Sequence, residues 1–225
     1  MKRKQFLRYM GAAFGAAAFA PFLTGCNDSD DSSTSDTTTD GTVPDTTLPP
    51  GLSADEVAAL QFMREEEKLA HDVYVYLYGV WGEIIFDNIS ASETSHTEAI
   101  RLLLVKYGLD DPAAGKSAGV FTNPDLQALY TALIAKGSTT KIDALTVGAT
   151  IEEKDIKDIN TKKTITDEAD ILAVYDSLLC GSRNHLRSFN QALLALGVTY
   201  APQFITQAEW DAIANSPLET TCASY

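Results

Sequence analysis

The sequence is poor in the residues that staple a fold or carry electrons. Only three cysteines occur in 225 residues, Cys26, Cys180 and Cys222. None stands in a Cys-x-x-Cys spacing, which excludes a rubredoxin-type iron site and a structural zinc site of that kind. Basic residues are also scarce, with 17 Lys and Arg against 31 Asp and Glu and a net charge of -14. The first 25 residues hold Lys2, Arg3, Lys4 and Arg8 and no acid; removing those four charges leaves -18 for the rest. A body this acidic argues against nucleic acid as a partner and attracts cations through its field. No run alternates as a strand would. The apolar stretch 11–23 is too short for a membrane span. A hydrophobic content of 45% suits one sizeable domain.

The N-terminus reads as a targeting segment, to be set apart from the fold. A basic region over 2–8 precedes the Gly/Ala-rich stretch, and Leu23-Thr24-Gly25-Cys26 follows. This looks like the lipobox of a bacterial lipoprotein. The resemblance implies cleavage of a signal peptide spanning 1–25 and lipidation of Cys26. Each buried methylene of such an anchor contributes about 0.8 kcal/mol. Arg3-Lys4-Gln5-Phe6-Leu7-Arg8 is similar to a twin-arginine export signal, with Lys in place of the second Arg; a general secretory signal reads much the same. Either route implies the bacterial cell envelope, with the chain anchored at the periplasmic face or outer membrane. Residues 26–51 then form a tether rich in Asp, Ser and Thr that has almost nothing to bury. The folded domain is expected over 52–200, and a tail with a short helix over 201–225. An oxidising compartment permits a Cys180–Cys222 disulfide; a buried free thiol and a loose one are the alternative.

Beyond Leu52 the apolar spacing is helical. Ser53 and Glu56 form a capping-box pattern ahead of a helix over 54–78, which Gly79 and Gly82 are expected to break. Its inward stripe is Val57, Leu60, Met63, Glu67, Ala70, Tyr74 and Leu77. A second helix is predicted over 87–106 with Ile89, Glu93, His96, Ile100 and Leu103 inward. A long connection with a short helix over 124–136 follows. The third long helix, over 141–159, turns Leu145, Ala149, Glu152, Ile156 and Ile159 inward. The fourth, over 167–196, does the same with Ile171, Val174, Leu178, Ser182, His185, Phe189 and Leu196. The fold class is therefore all-α. Short first and last loops around a long crossover suit a ferritin-like four-helix bundle, with the short helix in the crossover between helices 2 and 3.

Each apolar face carries a polar intrusion. A buried, unpartnered charge costs several kcal/mol, so these groups need a common partner. Ferritin-like di-iron bundles place a Glu on each of two helices and Glu-x-x-His on the other two. Here Glu67, Glu93 with His96, Glu152, and His185 fit that pattern, with Ser182 where the last Glu would stand.

Those residues lie in stretches that resemble the DUF2202 family. Glu65-Glu66-Glu67-Lys68-Leu69-Ala70, Trp81-Gly82, Glu93-x-x-His96, Val147-Gly148-Ala149, Ile151-Glu152-Glu153, Asp155-Ile156 and Gly181-Ser182-Arg183-Asn184-His185-Leu186-Arg187 carry the likeness. A weaker resemblance links the same helices to rubrerythrin. It implies Glu67, Glu93, His96, Glu152 and His185 as metal ligands. Serine is a poor ligand beside carboxylate and imidazole, so Ser182 weakens one metal position. Asp155, one turn beyond Glu152, can supply an oxygen. Glu66, Glu153 and His71 are further ligand candidates, but Glu66 and Glu153 read first as solvated surface acids and His71 as exposed or as supporting a ligand from behind. Arg183 pairs either with a ligand carboxylate or with a surface acid.

Carboxylate and imidazole ligands suit iron first, then manganese or zinc, at one metal or two. The expected function is an envelope-anchored oxidoreductase of rubrerythrin or ferroxidase type acting on peroxide or dioxygen. The alternative is a non-catalytic metal-binding or structural lipoprotein. The expected partners are the metal ion and the membrane, with a dimer left open and nucleic acid excluded.

Overall fold

A computed structural model of the chain describes residues 51–222. The expected signal peptide, Cys26 and nearly all of the tether lie outside the described residues. Among the described residues the fold is all-helical, without strands.

Helix α1 spans Ala54–Trp81 and opens with the expected capping box: Glu56 N–H donates to Ser53 Oγ at 3.3 Å, and Ser53 N–H to Glu56 Oε2 at 2.8 Å. Helix α2 spans Ile84–Lys106, after a connection of two residues. The crossover carries α3, Pro124–Gly137, capped by Asn123 with Pro at the first turn. Helix α4 is Lys141–Lys162 with Thr140 as its cap, and α5 is Ala169–Ala195 after a short 3-10 turn at Lys163–Ile165. A last helix, α6, covers Gln207–Ala214 within the expected tail.

The four long helices touch in a ring: α1 with α2, α2 with α5, α5 with α4, and α4 with α1. Every neighbouring pair runs antiparallel. Tyr74 approaches Phe86 while Glu67 approaches His96 across α1 and α2. Tyr74 meets Gly148 while Glu66 meets Lys154 across α1 and α4. Gly148 meets Phe189 while Asp155 meets Ser182 across α4 and α5. Helix α3 packs on α1 and α4. The inward stripes are buried throughout α2 and α4; Val57 of α1 is only partly buried and Leu196, expected inward on α5, is exposed. Leu196 is the helix's C-cap, where the chain turns away at Gly197.

Helix α1 also runs through Gly79, one turn further than expected. A mid-helix glycine costs about 1 kcal/mol. Trp81 offsets that cost, donating from Nε1 to Gly137 O at 2.8 Å. Gly82 is the true stop, in the left-handed region at φ 64°. Among the described residues no helix is long and apolar enough to cross a membrane.

The segment after α5 folds back over it. A disulfide joins Cys180 to Cys222 across 42 residues. Closing a loop of that length contributes about 4 kcal/mol in the chain-entropy picture.

Candidate metal centre

The ring of helices points Glu67 from α1, Glu93 and His96 from α2, Glu152 from α4 and His185 from α5 into one place. The spacing of three between Glu93 and His96 puts both on one face of α2. All five are buried: the glutamates are 1–2% exposed and each histidine 8%. His96 Nδ1 lies 2.8 Å from Glu93 Oε2 and 3.4 Å from Glu67 Oε2. His185 Nδ1 repeats that geometry, 2.8 Å from Glu93 Oε1 and 3.4 Å from Glu152 Oε2. Two three-residue groups result, Glu67–Glu93–His96 and Glu93–Glu152–His185. Glu93 belongs to both, one oxygen to each.

These groups control one another's protons. Burial works against the imidazolium of His185, but Glu152 and Glu93 outweigh it and raise its pKa to about 9. His96 is raised well above its usual value in the same way, by Glu93 and Glu67. Burial also pushes Glu93 up, yet the two flanking histidines hold it well below the usual carboxylate range. Glu67 is raised by burial to about 8 despite His96, and Glu152 is raised by burial against the pull of His185.

Hydrogen bonds leave part of the cluster unsatisfied. Glu67 Oε1, Glu93 Oε1, Asp155 Oδ1 and His185 Nδ1 are buried without a hydrogen-bond partner. Glu93 Oε1 and His185 Nδ1 stand 2.8 Å apart, but the ring N–H is not aimed at the oxygen. Buried polar atoms are nearly always satisfied, so four orphans in one cluster need a cause. Two ligands held about 2.1 Å from one ion at right angles stand about 3 Å apart, which is the separation found here. The donor set, carboxylate with imidazole, also suits a divalent transition metal. Each group can therefore hold a metal ion.

Residues 56–217 match the family described as "Uncharacterized protein domain (DUF2202)". The chain belongs to the DUF2202 family. It is 46% identical over 168 residues to the uncharacterized protein MJ0754 of Methanocaldococcus jannaschii, covering 75% of this chain and 91% of that relative. A crystal structure of hypothetical protein MJ0754 from Methanococcus jannaschii superposes with a TM-score of 0.74, covering 75% of this chain and 96% of that one.

Two positions of this DUF2202 chain stand beside the five. Ser182 donates from Oγ to Asp155 Oδ2, so the serine aims the carboxylate of a neighbouring helix. Burial and the charges of Glu67, Glu66 and Glu152 raise Asp155 well above the usual carboxylate range. Asp155 lies outside both three-residue groups.

Glycines complete the cluster's walls. A Cβ on Gly181 would stand 2.5 Å from His96 Nε2, and one on Gly148 would stand 2.3 Å from Phe189. Tyr74, expected only as a core residue, donates from its hydroxyl to Glu152 Oε1.

Other expectations change. Glu66 and Glu153 are buried, not solvated. Glu66 pairs with Lys154, and burial raises it to about 7. Glu153 Oε1 accepts the backbone N–H groups of Gln203, Phe204 and Ile205, and its Oε2 the Tyr200 hydroxyl. Arg183 pairs with Glu219, a surface acid, not with the cluster. His71 stays at the edge, paired with Asp72.

Proposed function

We propose that the four long helices form a ferritin-like bundle whose interior holds a pair of divalent metal ions, iron first, in a lipid-anchored protein of the bacterial envelope. Glu67 and His96 would hold one ion, Glu152 and His185 the other, and Glu93 would bridge them. Asp155, outside both groups but steered by Ser182, would add a further carboxylate beside them in place of the one that Ser182 lacks. The observation that carries this reading is the doubled geometry at Glu93: two histidines at the same short distance, with orphaned atoms between them. Charge supports it as well. Glu67, Glu93, Glu152 and Asp155 bring four negative charges when ionised, and two divalent cations balance four.

Iron bound there would supply the electrons to reduce peroxide or dioxygen, as in a rubrerythrin or ferroxidase. The chain's own residues prepare that chemistry. Glu93 sits ionised between two histidines, ready to bridge. Glu67 and Glu152, raised by burial, give up protons on binding a cation. Tyr74 fixes the orientation of Glu152, and the Tyr74, Phe86 and Phe189 rings, 5.4 to 6.2 Å apart, keep water from that side.

Ser182 favours a second reading, a metal-binding lipoprotein without turnover, because the cluster has one Glu-x-x-His pair where two are expected. Anaerobic loading with Fe2+ followed by one addition of peroxide separates them. Repeated rapid oxidation on each re-reduction supports the oxidoreductase. Stoichiometric binding without turnover supports the second reading, and failure to bind any metal removes both.

A further inference from the structure

The cluster's histidines face a cleft. His96 and His185, but none of the cluster's carboxylates, line a cavity of about 380 Å3 between α2 and α5. Gly181 forms its floor between the two rings. Ser92, Ser95 and Asn184 stand on the helical sides, and Glu219, Thr220 and Cys222 supply the remaining wall. That wall is a strap fastened at two points. At the first, Asn184 Oδ1 accepts from Glu219 N–H and Asn184 Nδ2 donates to Glu219 O, each at 2.9 Å. Arg183 and Arg187 pair with the Glu219 carboxylate there. At the second, Cys222 is bonded to Cys180, next to the glycine on which His96 rests.

We propose that this cleft is the port through which a divalent cation and a small uncharged oxidant reach the Glu/His cluster, and that the Cys180–Cys222 bond is a redox latch on its wall. The inference rests on the metal reading for what passes through the port. The charge of Glu219 is matched by two guanidiniums, so the rim of hydroxyls and an amide selects by size, while the acids within attract the cation. With the bond made, residues 220–222 are held against α5. With it reduced, they swing free while Glu219 keeps the rest of the strap in place. In that step an external dithiol gives two electrons and two protons to the S–S bond. Two protein thiols form and the reductant becomes a disulfide.

The test uses diethylpyrocarbonate on the metal-free full chain, with modified histidines located by mass spectrometry. The chain has three histidines, and His71, outside the cleft, is the internal control. His96 and His185 are expected to react several-fold faster in a Cys180→Ser/Cys222→Ser variant than in the disulfide form, with His71 unchanged. If the variant does not fold, wild-type protein reduced with a dithiol and desalted at once replaces it. Equal rates at His96 and His185 in both forms overturn the latch. Loading with Fe2+ in both forms separates this from the metal reading: a faster histidine reaction without metal uptake leaves the latch and removes the metal. Uptake at one unchanged rate overturns the latch alone.

Discussion

Glu93 offers one oxygen to each histidine, which makes it unlike the other acids around it. Glu93→Gln is expected to abolish binding at both groups, whereas Glu67→Gln or Glu152→Gln should each leave one ion bound; titration calorimetry with Fe2+ or Mn2+ reads the stoichiometry. Equal loss in all three variants would mean that the two groups are not separate. Gly181 carries a second test. Alanine favours a helix interior by about 1 kcal/mol over glycine, so Gly181→Ala should not harm the helix itself. Its Cβ would meet the His96 ring at 2.5 Å, displacing it. Metal affinity should fall roughly 10- to 100-fold, as when a ligand's support is removed; unchanged affinity would show that His96 is not a ligand. Five of the candidate residues were legible in the sequence because each broke an apolar stripe at a helical spacing. Glu66 and Glu153 were not, because what satisfies them lies far along the chain: Lys154 for one, the 200–205 segment for the other.

The helices themselves were read from their apolar period and, for α1, from the Ser53/Glu56 capping pattern, which caps where it stands; the caps Asn123 and Thr140 of α3 and α4 emerge only from the structure. Ends were harder, because contacts made elsewhere decide them. Trp81 extends α1 past Gly79 by a bond to the end of α3, a helix distant in sequence. Glu153 shows the same dependence from the other side. One buried carboxylate gathers three backbone donors and a tyrosine from the segment that leads into α6. Hydrogen bonds to a charged group contribute about 1.5–3 kcal/mol each, and removing their acceptor leaves buried donors unpaired. Glu153→Ala should therefore destabilise the fold by about 3 kcal/mol or more, read from urea unfolding. Hydrogen exchange should show the change concentrated over 200–206, and a uniform loss would contradict the anchoring role.

The whole molecule holds acids inside an already acidic body, and its stability should record this. Glu67 has a folded pKa of about 8 against a usual 4.5, and His185 about 9 against 6.5. Both are raised, so their stabilisation is complete below the unfolded values and is lost as pH climbs through the folded ones, at up to about 1.4 kcal/mol per pH unit for each proton. Glu93 is depressed, so its contribution is present above 4.5 and lost only in acid. Metal-free protein should thus melt at progressively lower temperature from about pH 4.5, where Glu67 starts to lose its share, to about pH 9, where His185 has lost its own. Bound metal would replace those protons, so binding should tighten over the same range and the loaded protein should hold its melting temperature. The buried cluster, proposed as a metal site, is open to a simpler test than any of these. Metal analysis of the full chain, after anaerobic loading with Fe2+ and desalting, should find one ion for each of the two groups, absent in Glu93→Gln. Wild-type protein that emerges empty would contradict that proposal.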